Sequence, residues 1–583
     1  MRHGTLKIGV AAATVLAGVL PLALIAQPAY ADYAPNSGDV VGVGSDTLQY
    51  MIDFLADGNG YGYTGYNQLG NKYKLVNIDA TADANARLAY GVDGGNPLMD
   101  TTGVCTPGTG STPGTANQTT TNTGVPCVLN PTVVLRAGLQ PVLRPNGSGA
   151  GFTALEQDII AGDNAPVTGT YPFSYPEVIN FSRSSSNQVV STGLTGLPSG
   201  EDIDQISLAT DTLPMIISNG TGSNASHAVP LSATQLSYIY AANTGSCITW
   251  SNPQISGVWV TTATVTAGST SVTYTSSLPT SSNVGWVAQS WTGSATGSAV
   301  NGDIPTGDTV ASVGTNSLTL TTVAATSGTV NLGLVNPAAS TDPIIPLIPQ
   351  VGTGTRTTFL KDLNPALSSS GTCAEISEQN DPTAIYDVSN GLGLDPRDAI
   401  EPMSQGRLDL YLGVSNTGTP VNTHIGDYFL DPSCAYLSGV GTCGSGSVSG
   451  GTWATNAVAP AVKSVTTGTP VGIGGALFDP SRSLYIEVRS SDVLSGPATS
   501  STAWQPGKTT SWVQELFYDP CTAADAAASD CTTATQSGLT SGTWGPAGAP
   551  YIQSPEGILL VEQAGVTPIA TETCTDLVTN TSC

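Results

Sequence analysis

The sequence is poor in charged residues, and positive charge is the scarcer sign. Lys and Arg number 16 in 583 residues, against 42 Asp and Glu, which gives a formal net charge of −26 at pH 7. So acidic a surface repels nucleic acid and anionic lipid at long range. Charged residues make up only 10% of the chain, and a composition low in Lys and Glu disfavours long amphipathic helices. We therefore expect a fold rich in strands and loops that has no nucleic-acid partner.

Apolar runs long enough to cross a bilayer are missing after the first residues. Arg2 and Lys7 precede an apolar run over 8–25 that Pro21 interrupts, and the small residues Ala29 and Ala31 follow it. This order is typical of a signal peptide, which we expect to span 1–31. A single membrane anchor is the alternative, but the run is broken and is followed at once by a cleavage-type site. There is no Cys at that site to carry a lipid and no apolar tail at the C-terminus, so we expect a secreted, extracellular protein without membrane insertion.

Motifs that bind metal are also missing. The chain has no C-x-x-C pair, and after residue 31 its histidines are His227 and His424, which disfavours a metal site. All ten cysteines follow residue 31, and an even count in an oxidising compartment predicts five disulfides. Nearness along the chain suggests Cys105 with Cys127, Cys434 with Cys443, Cys521 with Cys531, Cys574 with Cys583, and hence Cys247 with Cys373. Spacing alone does not determine connectivity.

Patterns typical of enzymes are incomplete. Neither histidine lies near a G-x-S-x-G elbow, which disfavours a nucleophilic triad. The sequence Gly507-Lys508-Thr509 ends like a P-loop, but Thr502 occupies the place of the first glycine. A calcium-like loop from Asp57 has Gln68 instead of Glu at its twelfth position. We therefore expect a binding protein that has no catalytic residues and no cofactor.

The chain is too long for one core, and its composition separates one part from the rest. Residues 251–340 contain no Lys or Arg, and their acids are Asp303 and Asp308. Alternating Val and Thr with Gly, Ser and Asn turns predict a Ser/Thr-rich all-β module, either a β-sandwich or a β-barrel, inserted into a larger domain. Its predicted strands are Val258–Val265, Ser271–Tyr274, Val284–Trp291, Thr309–Val313, Ser317–Thr322 and Thr329–Leu334.

Outside this module the periodicity is mixed. Apolar residues at helical spacing predict helices over Thr47–Ala56, Gly151–Ala161 and Thr357–Leu363. Apolar segments between helical stretches predict strands over Leu213–Ile217, Ile344–Ile348 and Leu484–Val488. Helices and strands that alternate in this way indicate an α/β fold.

Three glycine-hydroxyl loops precede these helices, at 42–47, 147–151 and 352–355. A helix N-terminus offers free backbone N–H groups to a polar or anionic ligand, and glycine lets the ligand approach the backbone. Such loops also serve as ordinary helix caps. The scarce arginines favour a binding role, because Arg144, Arg183 and Arg356 lie in or near these loops, although they could instead cap helices or pair with acids.

The loops also carry a family resemblance. The segments 42–47, 144–151, 179–185, 231–250 and 349–359 occur in the order found in PstS-like phosphate-binding proteins, and the resemblance spans about 38–411. It implies a two-lobed periplasmic-binding-protein type II fold that holds a ligand between its lobes. On that plan the parts are 1–31 signal peptide, 32–212 lobe one, 213–250 lobe two, 251–340 the inserted β-sandwich module, 341–469 lobe two, and 470–583 the return to lobe one with a disulfide-bonded C-terminal region.

The resemblance also implies a ligand set, and the sequence departs from the family there. The family pattern has Thr at Asp46, an acid at Ser185, and Arg and Asp at Pro349 and Val351. A carboxylate at Asp46 would repel a dianion unless it were paired, and Arg183 or Arg356 could pair with it. With the adjoining loop residues, the implied set is Ser45, Asp46, Thr47, Ser148, Gly149, Arg183, Ser185, Thr353, Gly354, Thr355 and Arg356.

Two functions fit these patterns. The first is a secreted, PstS-like binding protein for phosphate, a related oxyanion or a small polar solute. The second is an extracellular structural or adhesive protein that uses the binding fold as a scaffold. In that second case the β module would contact a cell-envelope polymer.

Overall fold

The computed structural model describes most of the chain between residues 35 and 582. The described residues are 35–36, 38–58, 63–69, 74–80, 132–133, 135, 142–143, 145–162, 178–190, 202–218, 229–276, 279–291, 299–300, 302–367, 369–377, 379–380, 384–385, 395–412, 462–494, 512–518, 550–570, 572–578 and 581–582. The predicted signal peptide at 1–31 lies outside these residues. No helix among the described residues combines the length and apolar composition that crossing a membrane requires.

These residues form a mixed α/β structure. The described strands are β1 (Val40–Gly44), β2 (Leu75–Asn77), β3 (Thr132–Val133), β4 (Val142–Leu143), β5 (Phe181–Ser184), β6 (Ile203–Thr212), β7 (Met215–Ser218), β8 (Val258–Val265), β9 (Ser271–Thr273), β10 (Val287–Trp291), β11 (Ala299–Val300), β12 (Val310–Gly314), β13 (Ser317–Leu320), β14 (Gly328–Val335), β15 (Ile345–Pro349), β16 (Glu375–Ser377), β17 (Ala399–Pro402), β18 (Val462–Val465), β19 (Ser481–Arg489), β20 (Thr567–Pro568), β21 (Cys574–Asp576) and β22 (Thr581–Ser582). The described α-helices are α1 (Gln49–Asp57), α2 (Ser148–Gly162), α3 (Ala233–Ala241), α4 (Gly354–Leu363), α5 (Gln405–Leu412), α6 (Ser490–Leu494), α7 (Trp512–Leu516) and α8 (Pro555–Gln563).

The first mixed sheet contains eight strands in the order β2-β1-β5-β19-β6-β21-β22, with β20 beside β6. Strand β1 is parallel to β2 and β5, whereas β19 is antiparallel to β5 and β6. Both faces of β1 are covered, because Val40 belongs to one apolar cluster and its neighbour Val41 to another. Burial on both faces explains why β1 is a continuous apolar run, as expected for a central strand of a parallel sheet.

The second mixed sheet contains five strands in the order β16-β15-β17-β7-β18. Strand β15 is parallel to β16 and β17, and β7 is antiparallel to β17 and β18. Helices α3 and α4 cover one face, where Tyr240 and Phe359 pack edge to face with ring centres 4.6 Å apart. The Tyr240 hydroxyl donates to the Leu347 carbonyl on β15 at 2.8 Å and lies 3.2 Å from the Ile400 carbonyl on the central strand β17, so this helix layer is tied directly to the sheet.

The chain passes between the two mixed sheets along neighbouring segments. Strand β6 of the first sheet is followed by β7 of the second, and β18 of the second is followed by β19 of the first. The two segments lie side by side, since Ser481 pairs with Thr212 and the Leu213 N–H donates to the Pro480 carbonyl at 2.9 Å.

A third sheet forms the module between β8 and β14, in the order β11-β10-β14-β8-β9-β13-β12. Strand β12 is also bonded back to β10, because the Ala288 N–H donates to the Asp308 carbonyl at 2.8 Å and the Val310 N–H donates to the Trp286 carbonyl at 2.9 Å. These bonds bring the two ends of one sheet together around an apolar cluster, in a half-barrel. We call this module the barrel.

The barrel connects to the second mixed sheet through two paired segments. Thr249 and Pro343 form an antiparallel bridge, and the Ile344 N–H donates to the Ile248 carbonyl at 2.8 Å. The chain thus leaves and rejoins the α/β part at one place. The disulfide Cys247–Cys373, with Cα atoms 5.7 Å apart, lies beside these paired segments. The predicted pairing of Cys247 with Cys373 is therefore confirmed.

Local elements agree well with the sequence patterns. The three predicted helices and the predicted strands are present, with bounds shifted by up to three residues. Strand β8 has the predicted bounds, whereas β11 was not predicted.

Of the predicted disulfide positions, Cys574 is disulfide-bonded in addition to Cys247 and Cys373. The other predicted disulfide positions, Cys105, Cys127, Cys434, Cys443, Cys521, Cys531 and Cys583, lie outside the described residues.

Candidate binding site

The three glycine loops meet between the two mixed sheets. Two loops belong to the first sheet, after β1 and at the start of α2, and the third precedes α4 beside the second sheet. The Gly149 N–H donates to the Gly352 carbonyl at 3.1 Å. A Cβ on Gly354 would lie only 2.4 Å from the Ser148 Oγ and 2.5 Å from the Ser185 Oγ. We call this contact region, formed by 44–47, 147–149, 184–185 and 352–355, the loop junction.

Hydroxyl groups fill the loop junction. The Ser185 N–H donates to the Ser148 Oγ at 3.1 Å, and the two serine hydroxyls lie 3.3 Å apart. The hydroxyls of Thr47 and Thr355, which come from opposite sides, lie 3.5 Å apart. All four residues are 3% exposed or less. The predicted hydroxyls are therefore brought together, and in this arrangement they contact one another.

Thr353 has a structural part in the third loop. Its Oγ1 accepts from the Arg356 N–H at 3.3 Å and donates to the Gln350 carbonyl at 3.0 Å. This is an N-cap of α4, which satisfies one of the free backbone donors of the first turn. Val351, at the tip of this loop, is 77% exposed and faces away from the junction contacts.

Arg183 donates to the backbone of the first loop. Its guanidinium donates to the carbonyls of Ser45, Gly44 and Ile78 at 3.0, 3.2 and 2.9 Å, and also to the Asn77 side chain. The carbonyl groups at the end of β1 need donors where the strand stops pairing, and this fully buried side chain supplies them. These contacts give Arg183 a role in fixing the first loop, and its role as a ligand donor stays a prediction.

Arg356 is also held by its own side of the junction. It donates to the Pro349 carbonyl at 2.9 Å and to the Ser370 Oγ at 3.4 Å. Burial lowers the pKa of its guanidinium. Its donors fix the backbone before the third loop, and the ion pair described for Asp46 is formed with Arg407 instead.

The partner of Asp46 is Arg407, on α5. The Arg407 Nη2 lies 3.5 Å from the Asp46 Oδ2, and the guanidinium lies over the Tyr50 ring, 4.1 Å from its centre. The Asn380 Nδ2 donates to the same Oδ2 at 3.2 Å. Asp46, Arg407 and Asn380 are all buried, so the carboxylate is held by groups that follow β17 and β16.

A second buried ion pair, formed by Arg482 and Asp211, borders the junction. Arg482 on β19 donates to the Asp211 Oδ2 from Nη2 at 2.8 Å and from Nε at 3.1 Å. The Arg482 Nη1 also donates to the Thr355 Oγ1 at 3.1 Å, and Nη2 lies 3.5 Å from the Thr47 Oγ1. This side chain therefore reaches the hydroxyls of both sides.

Two amides complete the site. The Asn380 Nδ2 donates to the Thr47 Oγ1 at 3.1 Å, and the Gln379 Nε2 lies 3.5 Å from it. The buried Gln379 Oε1 and Ser45 Oγ have no hydrogen-bond partner within the described part of the chain. Buried polar atoms without partners are rare, and they point to a group that completes them.

Sequence reasoning missed Arg407, Arg482, Gln379 and Asn380. None of them adjoins a glycine loop, and Arg482 is 435 residues from Thr47 along the chain. One signal was present, because an arginine in the apolar strand 481–489 is unusual and calls for a buried partner.

Asp409, two residues after Arg407 on α5, adds a further titratable group. Burial raises its pKa to about 7, Gln405 lowers it, and Asp211 raises it further.

A separate cavity of about 430 Å³ lies beside β2. Among its lining residues, Asn77 connects to Arg183 and donates to the Asp53 Oδ1 at 2.7 Å. Burial raises the pKa of Asp53 well above its usual value, and the nearby Asp79 adds to this shift. None of the predicted ligand residues lines this cavity, although Arg183 contacts its wall through Asn77.

Comparisons with known proteins give little further information. No family model and no curated protein matches the chain. The crystal structure of a possible phosphate binding protein from Planctomyces limnophilus DSM 3776 is similar over 78% of this chain and 82% of that chain, with 10% sequence identity and a TM-score of 0.24. Likeness at that TM-score does not establish a shared fold.

Proposed function

We propose that the chain is a secreted, PstS-like binding protein that holds a small oxyanion or another small polar solute at the loop junction. The observation that carries this proposal is the meeting of three glycine-hydroxyl loops from two separate sheets at a buried polar cluster. Helices α1, α2 and α4 begin there, so their first backbone N–H groups are directed to one place. The proposal needs no covalent chemistry, and export rests on the predicted signal peptide.

The proposed architecture is a two-lobed, hinged type II fold. One lobe contains the first mixed sheet, from 32–212 and 470–583, and the other contains the second, from 213–250 and 341–469. The paired segments near Thr212 and Ser481 would form the hinge. The barrel within 251–340 would then be an appendage of the second lobe, outside the cleft. Opening about this hinge would separate Thr47 from Thr355 and admit the solute.

Binding would replace contacts between the lobes with contacts to the solute. The serine and threonine hydroxyls that now lie 3.3 and 3.5 Å apart would turn to solute oxygens. The Arg482 guanidinium would supply the charge-assisted bonds. Until then, these hydroxyl groups contact one another.

The test is calorimetry on the chain after residue 31, with phosphate, sulfate, L-serine and glycerol as probes. We expect saturable heat from at least one of them, and affinity weaker by on the order of tenfold in Thr355→Val, because the variant lacks a hydroxyl bonded to a charged group. Thr357→Val is the matched control. It lies on the same helix, its side chain is exposed and it bonds only its own turn.

Equal weakening in both variants would refute a direct contact at Thr355. If no probe gave a binding heat, the result would favour the alternative, an extracellular structural or adhesive protein that uses this fold as a scaffold. One observation supports that alternative, which is that Ser148 and Ser185 already satisfy each other in the junction.

A further inference from the structure

Two buried ion pairs line the loop junction. Asp46 pairs with Arg407 and Asp211 pairs with Arg482. All four side chains are buried, so water screens them only weakly. A dianion that entered this region would lie close to two carboxylates, while the guanidiniums of Arg183 and Arg356 already donate to backbone carbonyls. The two carboxylates therefore favour a solute that carries a positive group beside its negative one.

One amide nitrogen contacts both a hydroxyl and a carboxylate. The Thr47 Oγ1 is 3.1 Å from the Asn380 Nδ2 and 3.5 Å from the Arg482 Nη2. The same Asn380 Nδ2 donates to the Asp46 Oδ2 at 3.2 Å. Guanidinium and hydroxyl donors and a carboxylate are therefore gathered around one amide group.

Two buried polar atoms of this cluster have no hydrogen-bond partner within the described residues. The Gln379 oxygen only accepts hydrogen bonds, and it belongs to an amide whose nitrogen is 3.5 Å from the Thr47 Oγ1. The Ser45 Oγ, one residue before Asp46, is also without a partner in the described part of the chain. Sulfate offers no donor to the Gln379 oxygen and hydrogen phosphate offers a single O–H, whereas an ammonium group offers three N–H donors.

We propose that the solute is a small zwitterion of the α-amino acid class. Its carboxylate would be bound by Thr47, Thr355 and Arg482, and its ammonium group by Asp46 and the Gln379 oxygen. This inference rests on the proposed function and replaces its broad solute class by a narrower one. Inorganic phosphate is then a poor ligand, despite the glycine loops.

The first test changes the ligand and leaves the protein intact. Thermal unfolding of the chain after residue 31 is measured with each common L-amino acid and with inorganic phosphate. The amino acid with the largest shift is then titrated beside its α-hydroxy acid, in which a hydroxyl replaces the ammonium group. We expect the amino acid to bind more tightly by on the order of tenfold or more, because only it offers a charged donor to Asp46.

The outcomes separate this inference from the proposed function. A thermal shift with phosphate and none with any amino acid would overturn the zwitterion and leave solute binding in place. Equal affinity for the amino acid and its hydroxy acid would overturn the ammonium assignment. No thermal shift with any amino acid or phosphate, together with no heat from the calorimetric probes, would refute both proposals.

The second test is Asp46→Asn, which keeps the shape of the side chain. We expect amino-acid affinity to fall by on the order of tenfold or more, while affinity for the anionic hydroxy acid does not fall, because the variant also removes a carboxylate that repels it. A parallel loss for both ligands would show that Asp46 only supports the loop, and would overturn its assignment. The comparison of the two ligands in the unaltered protein decides the question even where this variant does not fold.

Discussion

The barrel and the loop junction lie in one chain but are held together by opposite means. The barrel closes around an apolar cluster that includes Val260, Leu318 and Leu332, and Thr and Ser residues cover much of its outside. The loop junction buries two ion pairs and at least four hydroxyl groups. Burial of apolar area stabilises the barrel without requiring a particular partner, whereas each group in the junction depends on one.

This difference predicts how each region responds to a single change. In the barrel, loss of one side chain removes part of a shared apolar interior. In the junction, loss of one partner leaves the other charged or polar group buried and unsatisfied. The junction should therefore be the more sensitive region, and three experiments examine that expectation.

The largest effect is expected for Arg482→Met. The variant keeps much of the side-chain volume but leaves the Asp211 carboxylate buried, with the Gly406 N–H as its remaining donor among the bonds described here, at 3.1 Å. Breaking a buried pair in this way costs roughly 3 to 5 kcal/mol. Urea unfolding of the α/β part, followed by Trp fluorescence, measures the loss.

A matched surface pair serves as the control. Arg397 pairs with Asp395, and the Arg397 side chain is 46% exposed. Arg397→Met should therefore leave the urea midpoint unchanged, because exposed pairs add little to stability. If Arg482→Met and Arg397→Met shifted the midpoint equally, the contrast between buried and exposed pairs would be lost.

Most strands of the barrel could be predicted from local patterns in the sequence. Apolar residues alternate with Thr over Thr262–Val265, and that period of two indicates both the strand and its buried face. The pair Thr261 and Thr262 breaks the period where the pairing with β14 shifts register. The short strand β11 was missed because Ala299–Val300 has too few residues to show a period. Closure of β12 onto β10 depends on pairing between distant strands, which composition does not specify.

The loop junction was predictable only in part, for a physical reason. Glycine and hydroxyl residues mark the loops locally, and the resemblance to PstS-like proteins implied that Thr47, Ser148 and Thr355 share one site. The bonds of Arg183 to the end of β1 could not be predicted, because nearness along the chain says nothing about which carbonyls need donors. Arg407 and Arg482 reach the site from distant elements, and their role follows only from the sheet order.

A smaller effect, and one that depends on pH, is expected from Glu487 on β19. Burial raises its pKa to about 8, and a hydrogen bond donated by Ser182 lowers it somewhat. Its folded pKa exceeds the ordinary value of 4.5, so the native state binds the extra proton between these limits. Stability should be full below pH 4.5, fall as the pH rises to about 8, and then level off.

Glu487→Gln should remove this slope and stabilise the protein at pH 7 by roughly 3 kcal/mol or less, since each pKa unit corresponds to about 1.4 kcal/mol. The pH dependence is measured as the urea midpoints of both proteins at about pH 5, 7 and 9, which cover the range of the titration. A slope that stays the same in the variant would assign the pH dependence to other buried acids, such as Asp409 or Asp158, whose pKa values burial also raises.

The smallest effects test the barrel, with two neighbouring residues on β8. Val265 is buried in the apolar cluster, and Thr264 is exposed. Val265→Thr buries a hydroxyl of nearly the same size and should cost about 1 to 3 kcal/mol. Thr264→Val should change stability by less than about 0.5 kcal/mol. The measurement is thermal unfolding resolved into barrel and α/β transitions. Equal losses of stability at the two positions would contradict the alternation of buried and exposed residues on which the prediction of this strand rests.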